Sequence, residues 1–175
     1  MTKTTKIVLT GAESTGKSTL SEKLAQHYKG LWMPELARDY VNNINHHYTY
    51  SDIENIARQQ IELEKQLKDE NRMVFFDTWL IITKVWFDFV YGMHPQWLHD
   101  AIGRSDVDLF LLCDIDLPWT PDPLRENGGE NRIKLHEIYQ AELSRYGFEY
   151  EIVRGDGSMR FRRTIEIIDC KFNRS

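Results

Sequence analysis

The stretch LTGAESTGKSTL, Leu9 to Leu20, decides how this chain is read. Two glycines stand five residues apart, and a lysine and two hydroxyl residues follow, an order that folding alone does not require. Gly11 to Ser18 fits G-x-x-x-x-G-K-[ST] in full. Upstream, TKIVLTG (Thr5 to Gly11) is a β-branched apolar run ending in glycine, the pattern of a buried strand. Downstream, KSTLSEKLAQHY has helical spacing through Leu20, Leu24 and Tyr28. A glycine-rich turn between strand and helix lets successive backbone N–H groups point at phosphate oxygens, at the positive end of the helix. Gly11, Glu13, Ser14, Thr15 and Gly16 form that turn. Lys17 adds a point charge for the β- and γ-phosphates, Ser18 offers a hydroxyl to Mg²⁺, and Thr19 follows it into the helix. The stretch is expected to hold a nucleoside triphosphate with Mg²⁺.

The rest of the chain alternates strand and helix. GLWMPE reads as a brief second strand, RMVFFD (Arg72 to Asp77) as a third, VDLFLLCD as a fourth and FEYEIV as a fifth. SDIENIARQQIELEKQLKDE opens with Ser51 and Glu54 at capping-box spacing and continues as a long helix. TWLIITKVWFDFVYG is an apolar helix, and further helices end near Tyr146 and begin near Ser158. This alternation predicts an α/β fold of the P-loop NTPase kind: a five-stranded parallel sheet with helices on both faces. The 175 residues are expected to form a single domain, with an irregular lid over about 116–132. A net charge of −5 argues against a nucleic-acid partner. Cys113 and Cys170 follow no metal or redox spacing, and there is no apolar run of signal or membrane-span length, so a cytoplasmic location is expected.

Three places bear on what is done to the triphosphate. In a sheet of this kind ligands bind beyond the carboxyl ends of the strands. Glu35, in PELARDY, would there accept a proton from a substrate hydroxyl or hold a ribose diol, with Arg38 one turn on to offset charge. An acidic first turn beside a solvated arginine explains the two equally well. Asp77 ends the third strand, where an acid associated with Mg²⁺ or substrate belongs; it would also cap the next helix. In PWTPDPLRENGGENR, proline and glycine punctuate a loop that carries Trp119, Asp122, Arg125 and Arg132. Its arginines would swing over the phosphates, and the Trp119 indole would stack on a ring. Trp79 and Trp86, in an apolar helix, read instead as core. His46, His47 and Tyr48 read as a loop near the substrate mouth, and Arg154 to Arg160 as a turn beside the nucleotide base or a plain flexible turn. No N/T-K-x-D guanine signature follows a strand.

GAESTGKS, PELARDY, FFDT and the W-x-x-D-x-L-R run from Trp119 to Arg125 together resemble the ribosylnicotinamide kinase domain of the bacterial bifunctional NAD-salvage regulators. The resemblance covers nearly the whole chain. It implies phosphorylation of the 5′-hydroxyl of nicotinamide riboside by ATP. Gly11 to Ser18 would bind ATP and Mg²⁺, Glu35 and Asp77 would serve ribose hydroxyls or metal, Trp119 would face nicotinamide, and Arg125 would belong to the lid. The family's adenylyltransferase domain has no counterpart in these residues. Another nucleoside kinase, or a slow regulatory ATPase module, stays open as an alternative.

Overall fold

Along the three central strands the side chains alternate between two separate apolar layers, and that alternation builds the molecule. The computed structural model describes residues 4–67, 72–121 and 127–173. In chain order the elements are β1 (Thr5–Thr10), α1 (Lys17–His27), β2 (Leu31–Met33), α2 (Leu36–Asn43), α3 (Tyr50–Gln66) and β3 (Met73–Asp77). There follow α4 (Leu80–Tyr91), α5 (Gln96–Gly103), β4 (Leu109–Cys113), α6 (Glu130–Arg145), β5 (Tyr150–Val153) and α7 (Gly157–Phe172). The strands form one five-stranded sheet in the order β2-β3-β1-β4-β5. Every neighbouring pair is parallel, as the strand–helix alternation predicts.

Ile7 and Leu9 of β1, Met73 and Phe75 of β3, and Leu109, Leu111 and Cys113 of β4 pack against Leu20, Leu24 and Ala25 of α1 and Ile168 of α7. Val8, Val74, Phe76, Phe110 and Leu112 point the other way, onto α3, α4, α5 and α6. Strands covered on both faces are apolar at most positions, which is why they read as nearly continuous runs. Each fully buried phenylalanine, such as Phe75 or Phe110, contributes about 1.5–3 kcal/mol over its exposed state.

The cap of α3 lies two residues before the expected one. Thr49 is the N-cap: its side chain accepts from the Asp52 N–H, and Asp52 accepts from the Thr49 N–H at 2.8 Å. Glu54 instead accepts from Trp97 Nε1 and Arg58 Nη2, both at 2.8 Å. Asp52 does more than cap, because Tyr40 Oη of α2 donates to it at 3.0 Å and His46 Nε2 lies 3.1 Å away. Hydrogen bonds from the Thr49 hydroxyl, at 2.6 Å, and the Thr49 N–H, with those of His46 and Tyr40, hold its carboxyl well below the usual range. They also fasten α2 and the following loop to α3. The short helix α5 was not foreseen.

Because β1 lies between β3 and β4, its carboxyl end faces the crevice where the chain switches direction along the sheet. The turn after β1, Asp77 ending β3, Glu35 beyond β2 and Asp114 beyond β4 therefore share one edge. Gly11 makes this possible. Its φ is +131°, and a Cβ there would sit 2.8 Å from the Cys113 carbonyl oxygen. Gly11→Ala should therefore lower stability in urea denaturation by about 2–3 kcal/mol, combining backbone strain with the clash. Gly103→Ala, with no atom within 4 Å of the added carbon, should change it by less than about 0.5 kcal/mol. Equal effects at the two sites would contradict this account of the turn.

Candidate active site

The turn from β1 into α1 is wound through left-handed residues: Ser14 has φ +61° and Gly16 φ +76°. Gly16 is the N-cap of α1 and makes no side-chain cap bond, so the backbone at that helix end is left to meet a ligand. Ala12 O accepts from Thr15 Oγ1 at 2.9 Å and from Lys17 Nζ at 2.7 Å. Glu13 accepts from the Asn127 N–H and from Asn127 Nδ2, each at 3.0 Å, and Ser14 Oγ accepts from the Thr120 N–H at 2.8 Å. Two side chains of the loop are thus engaged by the segment that follows β4.

Arg132 corrects the sequence reading. It lies in α6, 7% exposed, and its Nε and Nη2 donate to the Glu13 and Ser14 carbonyls at 3.1 and 3.0 Å. It is held on the loop backbone instead of swinging over phosphates from a free segment. The buried positions of α6 are Arg132, Leu135, Tyr139 and Leu143, one helical stripe, and this spacing would have placed the arginine inward. Arg125 and Asp122 lie outside the described residues.

Asp77 is 2% exposed. One of its carboxylate oxygens, Oδ1, has no hydrogen-bond partner among the described residues. Burial pushes its carboxyl up, opposed by a hydrogen bond from Ser18 and the charges of Lys17 and Arg38. Thr78 follows at φ +70°, a conformation costing a β-branched residue about 1–3 kcal/mol. That turn ends β3 directly after the acid. An unpartnered carboxylate oxygen beside the Ser18 hydroxyl is the all-oxygen donor set that suits Mg²⁺. Among the described residues no cluster of three or more His, Cys, Asp or Glu could hold a metal by itself. Such a Mg²⁺ would draw its other ligands from phosphate and water.

A cavity of about 780 Å³ opens from the loop. Gly11, Glu13 to Thr19, Glu35 and Arg38 line one part of it. Glu35 is the N-cap residue of α2. Tyr139 closes the interior side, and burial together with Glu13 and Glu35 raises its hydroxyl far above the usual value. The far wall is aromatic: Tyr48, Trp86 and Phe89, with His46 and His47 beside them. Tyr48 meets Trp86 edge-on, with ring centroids 4.7 Å apart. The histidine–tyrosine loop thus borders the cavity.

The two tryptophans are placed otherwise than the sequence suggests. Trp119 is not among the cavity-lining residues; its indole packs on Gly128, 3.2 Å from where a Cβ would stand. Trp86, expected in the core, is partly exposed on the cavity. Its helix is apolar on two sides, one facing the sheet and one the cavity. Ile82, Val85, Trp86 and Phe89 recur at helical spacing. An apolar stripe beyond what the core needs was the available signal. Among the described residues, no helix is long and apolar enough to cross a membrane.

Residues 6–160 match a family described as an AAA domain. The trifunctional NAD biosynthesis/regulator protein NadR of Escherichia coli (strain K12) is 28% identical over 171 residues. The match takes in 93% of this chain and 41% of that protein. The crystal structure of NadR protein in complex with NR superposes with a TM-score of 0.80 at 20% identity, covering 96% of this chain and 50% of that one. NadR protein in complex with NAD and AMP-PNP gives 0.74 at 21%, covering 96% and 49%. The fold is shared across the whole sheet, and the chain spans about half the length of these relatives.

The buried acid yields a stability test. The Asp77 carboxyl titrates above its ordinary value of 3.8 in the folded, metal-free protein. Folded protein therefore binds that proton more tightly than unfolded protein does. The stabilisation is fully present below the ordinary value and lost as pH rises through the raised one. Asp77→Asn should melt higher than the parent protein at pH 7 with chelator present, and the gap should close as pH falls toward 3.8. A variant that melts lower at pH 7 would show that the carboxylate is stabilised, not strained, in its place.

Proposed function

This chain belongs to the AAA-domain family of P-loop proteins, and on that premise we propose that it is an ATP-dependent kinase of nicotinamide riboside. The reaction transfers the γ-phosphoryl group to the 5′-hydroxyl and yields the mononucleotide. The observation that carries the proposal is the continuity of one cavity from the phosphate loop, past Glu35 and Arg38, to an aromatic wall. In this reading the donor's phosphates lie at the loop end and the acceptor at the aromatic wall. The similarity to NadR supports the choice of acceptor and of donor, since the two NadR structures hold NR in one case and NAD with AMP-PNP in the other.

Loop amides and Lys17 hold the β- and γ-phosphates in this reading. Ser18 and Asp77 hold Mg²⁺, which when bound offsets charge on the phosphate oxygens. Asp77 also faces the reacting hydroxyl, Glu35 holds the ribose diol, and Arg38 offsets charge between them. Transfer of a phosphoryl group depends mainly on positioning and electrostatics. The placement of these groups therefore matters more than the strength of any one base. Trp86 is the stacking face for the base, steadied by the edge of Tyr48. A pyridinium is cationic, and an indole face attracts it by about 0.5–2 kcal/mol, on the order of a tenfold preference over a neutral base.

The test compares kcat/KM for nicotinamide riboside, uridine and thymidine. The parent protein should prefer nicotinamide riboside by about tenfold. Trp86→Ala should narrow that gap, and Trp119→Ala should leave it. Lys17→Ala should stay folded by circular dichroism and lose most turnover on every acceptor. A parent protein that prefers a neutral nucleoside would overturn the acceptor assignment. A folded Lys17→Ala protein with near-normal turnover would overturn the kinase reading.

A further inference from the structure

Behind the phosphate loop, two arginines from different helices take three successive loop carbonyls. Arg132 of α6 donates to Glu13 O at 3.1 Å and to Ser14 O at 3.0 Å. Arg160 of α7 donates through Nη2 to Thr15 O at 2.9 Å. The same guanidinium reaches Asp116 Oδ1 at 2.7 Å, Gly155 O at 2.8 Å and Asp114 O at 3.3 Å. Asp116 in turn accepts from the Gly155 N–H at 2.6 Å. Both arginines are buried, 7% and 4% exposed. With Ala12 O taken by Thr15 and Lys17, four consecutive carbonyls from Ala12 to Thr15 have side-chain donors.

The consequence follows from the peptide plane. In a trans peptide the carbonyl of one residue and the N–H of the next point in opposite directions. Holding the Glu13, Ser14 and Thr15 carbonyls on the guanidinium side therefore sets the N–H groups of Ser14, Thr15 and Gly16 to the other side. We propose that Arg132 and Arg160 are positioning residues that preset these three amides for a polyphosphate before it binds. This rests on the reading of the loop as a polyphosphate site. A glycine-rich loop is costly to order, and an order imposed in advance is not charged against binding. The forked guanidinium suits the task because its N–H groups lie in one rigid plane, whereas an ammonium makes point contacts. Two fixed positive charges also stand behind the loop, where they attract an anion without touching it.

The test uses Arg132→Lys, Arg160→Lys and the double variant, which keep the charge and lose the fork. Affinities are measured for inorganic tripolyphosphate, which probes the loop alone, and for adenosine, which has no phosphate. Circular dichroism and melting temperature establish the folded state. Each single variant should bind tripolyphosphate about tenfold more weakly, with adenosine affinity unchanged within about twofold. Folded variants that bind tripolyphosphate like the parent protein would overturn the proposal. So would parallel losses for both probes, which would mean a structural role only. A parent protein that fails to bind tripolyphosphate would overturn the phosphate-loop reading itself, and this proposal with it.

Discussion

At Gly11 the chain passes so close to the Cys113 carbonyl that a side chain does not fit. That passage fixes where the loop leaves the sheet. From there the loop can reach Asp77 at the end of β3 on one side and the β4 terminus on the other, because β1 lies between them. A loop displaced by a methyl group would lose its register with both. The phosphate loop is thus a consequence of sheet order together with one residue lacking a Cβ.

Hydrophobic packing holds the sheet and its helices, but the parts that surround the site are joined by buried charge. Arg132 ties α6 to the loop, and Arg160 ties α7 to the loop and to the segment after β4. Lys84, 1% exposed, lies 2.7 Å from Asp88 within α4 and 2.8 Å from Glu142 of α6. It joins the helix that carries Trp86 to the helix that carries Tyr139. Buried ion pairs are a poor source of net stability, because desolvation offsets much of the attraction. They impose direction, however, which apolar contacts do not. Elements that meet a ligand from several sides need direction as well as cohesion.

The parallel sheet, its helix coverage and the phosphate loop were readable because each has a period or a spacing. Ile7 to Leu9 is apolar at every position, and Gly11 to Ser18 matches a pattern defined residue by residue. Less of the cavity's aromatic side was readable. Trp86 sits in a helix whose two apolar faces look like one in sequence, and only the fold separates them. Trp119 looked free because proline flanks it, yet Gly128, nine residues on, gives it a surface to lie against. Arg132 looked like a loop arginine because its helix begins just before it, at Glu130. The Thr49–Asp52 cap was missed for a similar reason: Ser51 and Glu54 offered the same pattern two residues later. In each case tertiary contacts decided.

Phosphorus NMR of the protein with ATP, Mg²⁺ and nicotinamide riboside tests the central claim most directly. The account predicts a new phosphomonoester resonance that grows in step with ADP, and little ADP when the riboside is left out. ADP formed at the same rate with and without the riboside, accompanied only by inorganic phosphate, would contradict it.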